Sequence, residues 1–267
     1  MLTSTRHIIS AALAMAGVLA TGGAFAQGTW DLDNCVSGVS GACTSGGSTV
    51  SVTGWYSNAA GSSFAQGTLN MGGGWMGVQS KNSSNVTETT ANNNHSIDSL
   101  ADSGATYAEL VYLNFTKAVD LSTIAASWVH STTAGMGNFQ LWRWDNSSAS
   151  PGAISGYNAG AMTGWTSVTL SSGDFATGLS KTITDGTFHS SHWLVSTAFN
   201  SGNNDAFKLG TVTATSVCAG SNQTGAGTSG GLCANTPPSQ IPEPATLAMV
   251  LMAVGGAAVA RRRRSKA

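Results

Sequence analysis

TYAELVYLNF, residues Thr106–Phe115, is the stretch that indicates the fold most directly. Tyr, Val, Leu and Phe are enriched in β-strands, and successive side chains of a strand point to opposite faces. One face of this stretch carries residues 107, 109, 111, 113 and 115, and the other carries Ala108, Leu110, Tyr112 and Asn114. Because both sets are largely apolar, we expect a strand that is covered on both sides.

Seven further short segments between residues 27 and 240 have the same β-branched or aromatic character, and Gly, Asn, Ser or Asp separates them. They are Thr49–Ser57, Thr68–Ser80, Ile124–His130, Phe139–Trp144, Trp165–Leu170, His192–Phe199 and Ala206–Thr215. No stretch of this region sustains the 3.6-residue period of an amphipathic helix. The pattern predicts an all-β domain over residues 27–240, a β-sandwich of the jelly-roll type.

The composition of residues 27–240 argues against nucleic acid as a partner. This region has five basic and eleven acidic residues, a net charge of −6, whereas a nucleic-acid interface needs clustered Lys and Arg. Charged residues make up 9% of the whole chain, against about 25% in a typical domain. Hydroxyls and amides therefore supply the polar surface, and the region is long enough to bury the core of one β-sandwich.

The N-terminus has the order of a secretory signal peptide, residues 1–26. Arg6 gives a basic start, residues 8–20 are apolar, and Ala24-Phe25-Ala26 is a small-x-small exit. We predict cleavage by signal peptidase before Gln27 and export of the remaining chain.

The C-terminus carries a short apolar run that stops at a basic cluster. Residues 245–260 form a predicted transmembrane helix that spans about 24 Å, against roughly 30 Å of hydrocarbon. The basic tail, residues 261–267, begins with Arg261, Arg262, Arg263 and Arg264. These arginines are expected to stay on the cytoplasmic side. Just before the helix, Pro244 cannot donate a backbone hydrogen bond and restrains Glu243 toward extended geometry.

These residues, 241–267, resemble the PEP-CTERM sorting signal of Gram-negative bacteria, which is read by a membrane transpeptidase-like enzyme called exosortase. Three parts match in order: Pro242-Glu243-Pro244, the short apolar helix, and the basic cluster. The resemblance implies that the chain is inserted transiently in the inner membrane and cut near the motif. It also implies delivery to the cell surface or extracellular matrix, often in organisms that make exopolysaccharide. A plain single-pass tail anchor is the alternative interpretation.

A second resemblance covers residues 92–214. Six segments occur in order: NHSIDS (Asn94–Ser99), AELVYLNFTKAVDLSTIAASWV (Ala108–Val129), FQLWRW (Phe139–Trp144), GWTSVTL (Gly164–Leu170), SSHWLVSTAF (Ser190–Phe199) and DAFKLGTVTA (Asp205–Ala214). They are similar to a family of exosortase-dependent surface proteins in which a histidine-aspartate segment precedes a strand ending in Phe. The resemblance carries no activity, so it bears on fold and location alone.

Four cysteines, Cys35, Cys43, Cys218 and Cys233, lie in the region predicted to be exported. An even count in an oxidising compartment favours disulfides. Of the three possible connectivities, we predict Cys35–Cys43 and Cys218–Cys233, whose partners have 7 and 14 residues between them. Zinc is the rival interpretation, but neither pair has metal-ligand spacing.

Two groups of residues have side chains of the types that bind metal ions. His189 and His192 are three residues apart, so on a strand they face opposite sides and would not chelate one ion together. His95 with Asp98 and Asp102 would suit calcium, but no Asp-x-Asp-x-Asp-Gly loop is present and a solvated loop is the simpler interpretation. We therefore expect no metal and no cofactor.

Glycoside hydrolysis needs two paired carboxylates, and the exported region has only Glu88 and Glu109 as glutamates. This disfavours a glycosidase, and because no other catalytic constellation is found in the sequence, we predict that the protein is not an enzyme; a secreted hydrolase is a third alternative. Trp142 and Trp144 share one face of FQLWRW and would suit stacking against sugar rings, although filling the core is the favoured interpretation. Together with the export and processing that the PEP-CTERM resemblance implies, we predict an exosortase-processed surface or matrix protein with a structural or adhesive role. The alternative is a carbohydrate-binding module that acts on exopolysaccharide.

Overall fold

The computed structural model describes residues 26–35, 40–57, 62–71, 74–81, 96–99, 108–130, 137–145, 151–184, 189–197, 199 and 205–217. All of them lie in the first of two compact units, Met1–Ala234; the second, Asn235–Ala267, lies outside the described residues. Within these ranges, no helix has the length and hydropathy that crossing a membrane requires. The predicted helix 245–260 and all but Ala26 of the predicted signal peptide also lie outside them.

The described residues form thirteen β-strands, and every strand pairing is antiparallel. The strands are β1 (Ala26–Asp31), β2 (Ser40–Ser45), β3 (Ser48–Ser57), β4 (Ala65–Gln66), β5 (Thr68–Met71), β6 (Met76–Gln79), β7 (Ile97–Asp98), β8 (Ala108–Val129), β9 (Phe139–Trp144), β10 (Trp165–Ser167), β11 (Ser180–Thr182), β12 (Ser190–Thr197) and β13 (Ala206–Val217). The only helical segments in these ranges are three short 3₁₀ turns, Leu32–Asn34, Ile154–Gly156 and Phe175–Thr177. The prediction of an all-β fold is confirmed.

Strand β8 organises the sheet, because its two halves pair with different neighbours. Residues 108–115 pair with β3 on one side and, over residues 110–114, with β12 on the other. Residues 119–129 pair with β13, and residues 123–125 pair with β11. The prediction of two separate strands, one ending at Phe115 and one beginning at Ile124, is therefore wrong. The polar residues between Phe115 and Ile124 remain in the strand, and along them the partners of β8 change from β3 and β12 to β13.

The main hydrophobic cluster collects side chains from both halves of β8 and from the strands that each half pairs with. The first half contributes Val111, Leu113 and Phe115, and the second contributes Leu121 and Ile124, all almost fully buried. Further members include the large side chains of Trp30, Trp193 and Phe207 on other strands. Because β8 belongs to both groups of pairings, the strands are joined as one sheet. The predicted jelly-roll sandwich stays a prediction.

The predicted strand Thr68–Ser80 is in fact a hairpin. Strand β5 runs out to Met71 and β6 returns from Met76, with Thr68 paired to Gln79. Gly74, in the connection, has φ of +93°, a left-handed conformation that glycine adopts without a Cβ clash. Gly74 therefore lies in a turn and not inside one continuous strand.

Strand β1 begins where the predicted signal peptide ends. Gly28 pairs with Ala214 of β13, and Asp31 pairs with Thr211. Trp30 is buried, and its indole N–H donates to the Ser48 carbonyl at 3.1 Å. A chain released before Gln27 would lose Ala26 and its pairing with Val217, but it would keep these contacts of Gly28, Trp30 and Asp31.

Candidate functional site

The sorting signal predicted at the C-terminus lies outside the described residues. This applies to Pro242, Glu243 and Pro244, to the helix 245–260, and to Arg261–Arg264. The structure therefore bears on the β-domain, where two features concern the predicted sites: a disulfide close to β1 and an aromatic face on the sheet.

The first predicted disulfide is confirmed. Cys35 follows the 3₁₀ turn after β1, Cys43 lies in β2, and their sulfurs are bonded with the Cα atoms 5.1 Å apart. The bond fixes the chain after β1 to β2. Cys35 is also buried in the main hydrophobic cluster. Cys218 and Cys233 lie outside the described residues.

The aromatic face is the side of β3, β8, β12, β9 and β10 that turns away from the main hydrophobic cluster. Its central members are Trp55, Leu110, Tyr112, Leu194, Trp142, Trp144 and Trp165. Residues that lie directly opposite one another on neighbouring strands form rows across the sheet. In one row, Tyr112 lies opposite Leu194, and Leu194 lies opposite Trp142. In a neighbouring row, Trp144 lies opposite Trp165. The predicted alternation of side chains between the two faces is confirmed in the described part of TYAELVYLNF. Val111 and Leu113 face the main cluster, while Leu110 and Tyr112 belong to the aromatic face.

The two tryptophans of β9 occupy different environments on this face. Trp144 is 5% exposed and packs edge-on against Trp165, with ring centroids 5.4 Å apart. Trp142 is half-buried and stacks on Phe199, with centroids 5.9 Å apart and an interplanar angle of 25°. Of the pair singled out from the sequence, Trp142 is thus the one with surface left to contact a ligand.

The segment that follows β9 covers part of the aromatic face. Ile154 and Met162 are buried in the same cluster, and Tyr157 packs edge-on against Trp144 at 6.4 Å. Gly164, with φ of +86°, lies so close to the Trp144 ring that an added Cβ would fall 2.4 Å from it. A glycine is therefore required for this segment to fold down over Trp144.

His192 and Tyr112 form a polar pair within the aromatic face. Tyr112 Oη and His192 Nδ1 are 2.7 Å apart, and the two rings stack at 5.9 Å. Burial lowers the pKa of His192 to about 4 and raises the pKa of Tyr112 well above its ordinary value. The pair is therefore uncharged at neutral pH, and when the phenol donates to Nδ1, the imidazole proton resides on Nε2.

Several polar atoms of the aromatic face are buried without a hydrogen-bond partner in the described structure. They are Gln140 Oε1, Trp142 Nε1, Trp165 Nε1, His192 Nε2 and Ser196 Oγ. Each such atom costs stability of about 1–3 kcal/mol unless water or a ligand pairs with it. Their concentration on one face marks it as the strongest candidate for binding, and no sequence signal identified the set.

A second aromatic group consists of Trp75, just before β6, and Trp128 of β8, with Lys208 of β13 between them. The ammonium of Lys208 lies 3.7 Å from the centroid of Trp75 and 5.3 Å from that of Trp128. Because a cation within about 6 Å of an aromatic face is attracted to it, Lys208 occupies the surface that these two rings would otherwise offer to a ligand.

Two of the acidic candidates, Glu109 and Asp98, form hydrogen bonds that hold the fold together. Glu109 is fully buried and accepts a hydrogen bond from the Asp98 backbone N–H at 3.0 Å, while Asp98 accepts one from Ser96. Within the described ranges, no three His, Cys, Asp or Glu side chains are grouped to hold a metal ion. His95, Asp102 and Glu88 lie outside these ranges.

Comparison with known protein families matches residues 240–264 to the model of the PEP-CTERM protein-sorting motif. The resemblance read from the C-terminal residues is thereby confirmed, and this motif implies an exported protein that exosortase processes. The comparison with curated proteins found no match, and neither did the comparison with solved structures.

Proposed function

We propose that the PEP-CTERM motif delivers a non-catalytic β-domain to the cell surface or extracellular matrix, where it has a structural or adhesive role. The observation that carries the proposal is the motif itself, matched at residues 240–264 at the C-terminal end of the chain. In this account signal peptidase cuts before Gln27, the helix 245–260 resides transiently in the inner membrane, and exosortase cuts near Pro242-Glu243-Pro244.

The architecture of the domain supports this route. Strand β1 begins at Ala26 and pairs with β13, so the predicted mature N-terminus lies at a sheet strand. Strand β13 ends at Val217, and the residues from there to the motif are mainly Gly, Ser, Thr, Asn and Ala. The described strands therefore end before the motif begins, so a cut near Pro242 would remove none of them.

A non-catalytic role is supported by what the acidic side chains do. Glu109 is fully buried and fixes the backbone of β7, and Asp205 is fully buried and accepts from the backbone and side-chain nitrogens of Asn138. These carboxylates hold strands and loops together, as structural hydrogen-bond acceptors do.

Replacing Glu243 tests the proposal, because it removes the only charge of the motif and leaves the helix and the arginines intact. We expect Glu243→Ala protein to insert normally but to be processed slowly, so that the full-length form accumulates in the inner membrane. Fractionation with intact-mass measurement would show this accumulation. Ser265→Ala, in the same tail but outside the motif, is the matched control. Glu243→Ala protein at the surface with normal rate and mature mass would contradict the proposal and favour a simple tail anchor.

A second candidate function is a carbohydrate-binding module that acts on exopolysaccharide. The half-buried Trp142, together with the half-buried Trp55 and Tyr112 across the same sheet, favours it. Neighbouring strands lie about 4.8 Å apart, so the three rings span roughly 14 Å from β3 to β9. Aromatic rings with polar groups between them are typical of sites for small polar ligands.

A further inference from the structure

Three unpartnered polar atoms lie close together at one end of the aromatic face. Ser196 of β12 lies directly opposite Gln140 of β9, and Trp142 is the next residue of β9 on the same side. Ser196 is fully buried, yet its Oγ has no hydrogen-bond partner in the described chain, and neither do Gln140 Oε1 and Trp142 Nε1. Native proteins rarely leave such groups unpaired, so each asks for an explanation such as a ligand.

The chemistry of the three atoms defines what would pair with them. An indole N–H only donates, the carbonyl oxygen of an amide only accepts, and a hydroxyl does both. A ligand that fits all three must therefore present donors and acceptors within a few ångströms of one another. Adjacent hydroxyl groups meet this requirement.

Half-buried aromatic rings flank these atoms. Phe199 stacks on Trp142, with ring centroids 5.9 Å apart. On the other side, Trp55 lies in the same row as Ser196, with Leu110 between them. Aromatic rings bury large apolar area with a defined geometry, which suits the C–H face of a sugar ring.

The aromatic face carries no charge in the part of the chain that the structure describes. Its positions on β3, β8, β12 and β9 are Ser, Thr, Trp, Ala, Leu, Tyr, Asn, Gln and a neutral His192. Arg143 turns to the opposite side of β9 and pairs with Asp145 at 2.7 Å. A ligand bearing carboxylates or phosphates would find no cation here to offset its desolvation.

From these observations we propose that Gln140, Trp142 and Ser196, flanked by Trp55 and Phe199, bind an uncharged saccharide. The inference rests on the carbohydrate-binding candidate and adds its position, its hydrogen-bonding groups and the class of glycan. It does not depend on the sorting route, because binding is measured on purified protein, whereas the Glu243→Ala experiment measures delivery.

The test is affinity electrophoresis of the full-length protein in a non-ionic detergent. Native gels contain dextran, a galactomannan or an arabinoxylan as neutral probes, or alginate as an acidic probe. We expect at least one neutral polysaccharide to retard the wild-type protein and alginate not to do so. The retardation should persist at about 1 M salt, where the Debye length is only about 3 Å.

Three substitutions locate the site. Trp142→Phe keeps a ring and removes the N–H, and Ser196→Ala removes the hydroxyl; each should weaken retardation about tenfold, as expected for the loss of one buried hydrogen bond. Trp142→Ala should abolish it. Trp128→Phe, a matched change beside Lys208, should leave it unchanged.

A stability measurement separates a binding role from a structural one. Because Trp142→Phe and Ser196→Ala remove unpaired polar groups, the unliganded variants should unfold at the same urea concentration as the wild type or at a higher one. Binding that weakens only in parallel with a lower unfolding midpoint would overturn the proposal. The proposal would also be overturned if only alginate retards the protein, if no probe retards it, or if all variants are retarded equally.

Discussion

His192 makes the stability of the domain depend on pH in a defined window. Burial lowers its pKa from the ordinary value of 6.5 to about 4, so the folded protein keeps the ring neutral at a pH where the unfolded chain already binds a proton. The contribution of the neutral His192 ring to the free energy of unfolding is therefore fully present above about pH 6.5. It is lost as the pH falls toward 4. The gap between the two values corresponds to about 3 kcal/mol at most, and residual solvent contact of the ring reduces it.

The perturbation is His192→Gln, which cannot titrate here and keeps an amide near the position that Tyr112 Oη contacts. Urea unfolding of full-length protein in detergent, followed by tryptophan fluorescence, gives the free energy of unfolding at pH 7 and at about pH 4.5. Between pH 7 and about pH 4.5, the free energy of unfolding of the wild-type protein should fall by about 2 kcal/mol more than that of the variant. Asp120, whose pKa burial raises, acts in the opposite direction but is present in both proteins, so it cancels.

His130→Gln, at an exposed histidine outside the aromatic face, is the matched control and should keep the wild-type dependence. If His192→Gln protein loses stability as steeply as the wild type, the ring is not held neutral by burial. The description of the Tyr112–His192 pair would then be incorrect.

Two further predictions concern the disulfides and the core. Non-reducing peptide mapping should link Cys218 to Cys233, and free thiols at both positions in exported protein would refute this pairing. Leu209→Ala, at a fully buried position of β13, should lower the free energy of unfolding by about 2–5 kcal/mol, whereas Leu179→Ala, at 44% exposure, should change it by less than about 0.5 kcal/mol. Equal effects of the two leucine substitutions in urea unfolding would contradict the assignment of the main hydrophobic cluster.

Local alternation predicted strand faces well, because a strand's side-chain period is fixed by the backbone. It placed Val111 and Leu113 on one side of β8 and Leu110 and Tyr112 on the other, and the two hydrophobic clusters divide in that way. It also gave the bounds of Phe139–Trp144, which the structure reproduces.

Pairing between distant segments could not be predicted from local pattern. Strand β8 continues through Lys117 and Asp120 because β12 and β13 supply successive partners. The contact of Tyr112 with His192 joins residues 80 positions apart. Short strands such as β2 and β11 are rich in Ser, Thr and Gly, so their sequences read as loops.

The candidate site was predicted only in part, for the same reason. The sequence pointed to Trp142 and Trp144 as one face, but their burial depends on Phe199 and on the segment around Ile154, which pack from elsewhere in the chain. Gln140 and Ser196 carry no motif, and only strand pairing sets them opposite each other.

The intact mass of the surface form tests the central claim most directly. Export and exosortase processing predict a chain that begins at Gln27 and ends at or near Pro242-Glu243-Pro244, without residues 245–267. Because mass spectrometry reports both ends at once, it also detects any group attached at the new C-terminus. A surface form that still ends at Ala267 would contradict the account.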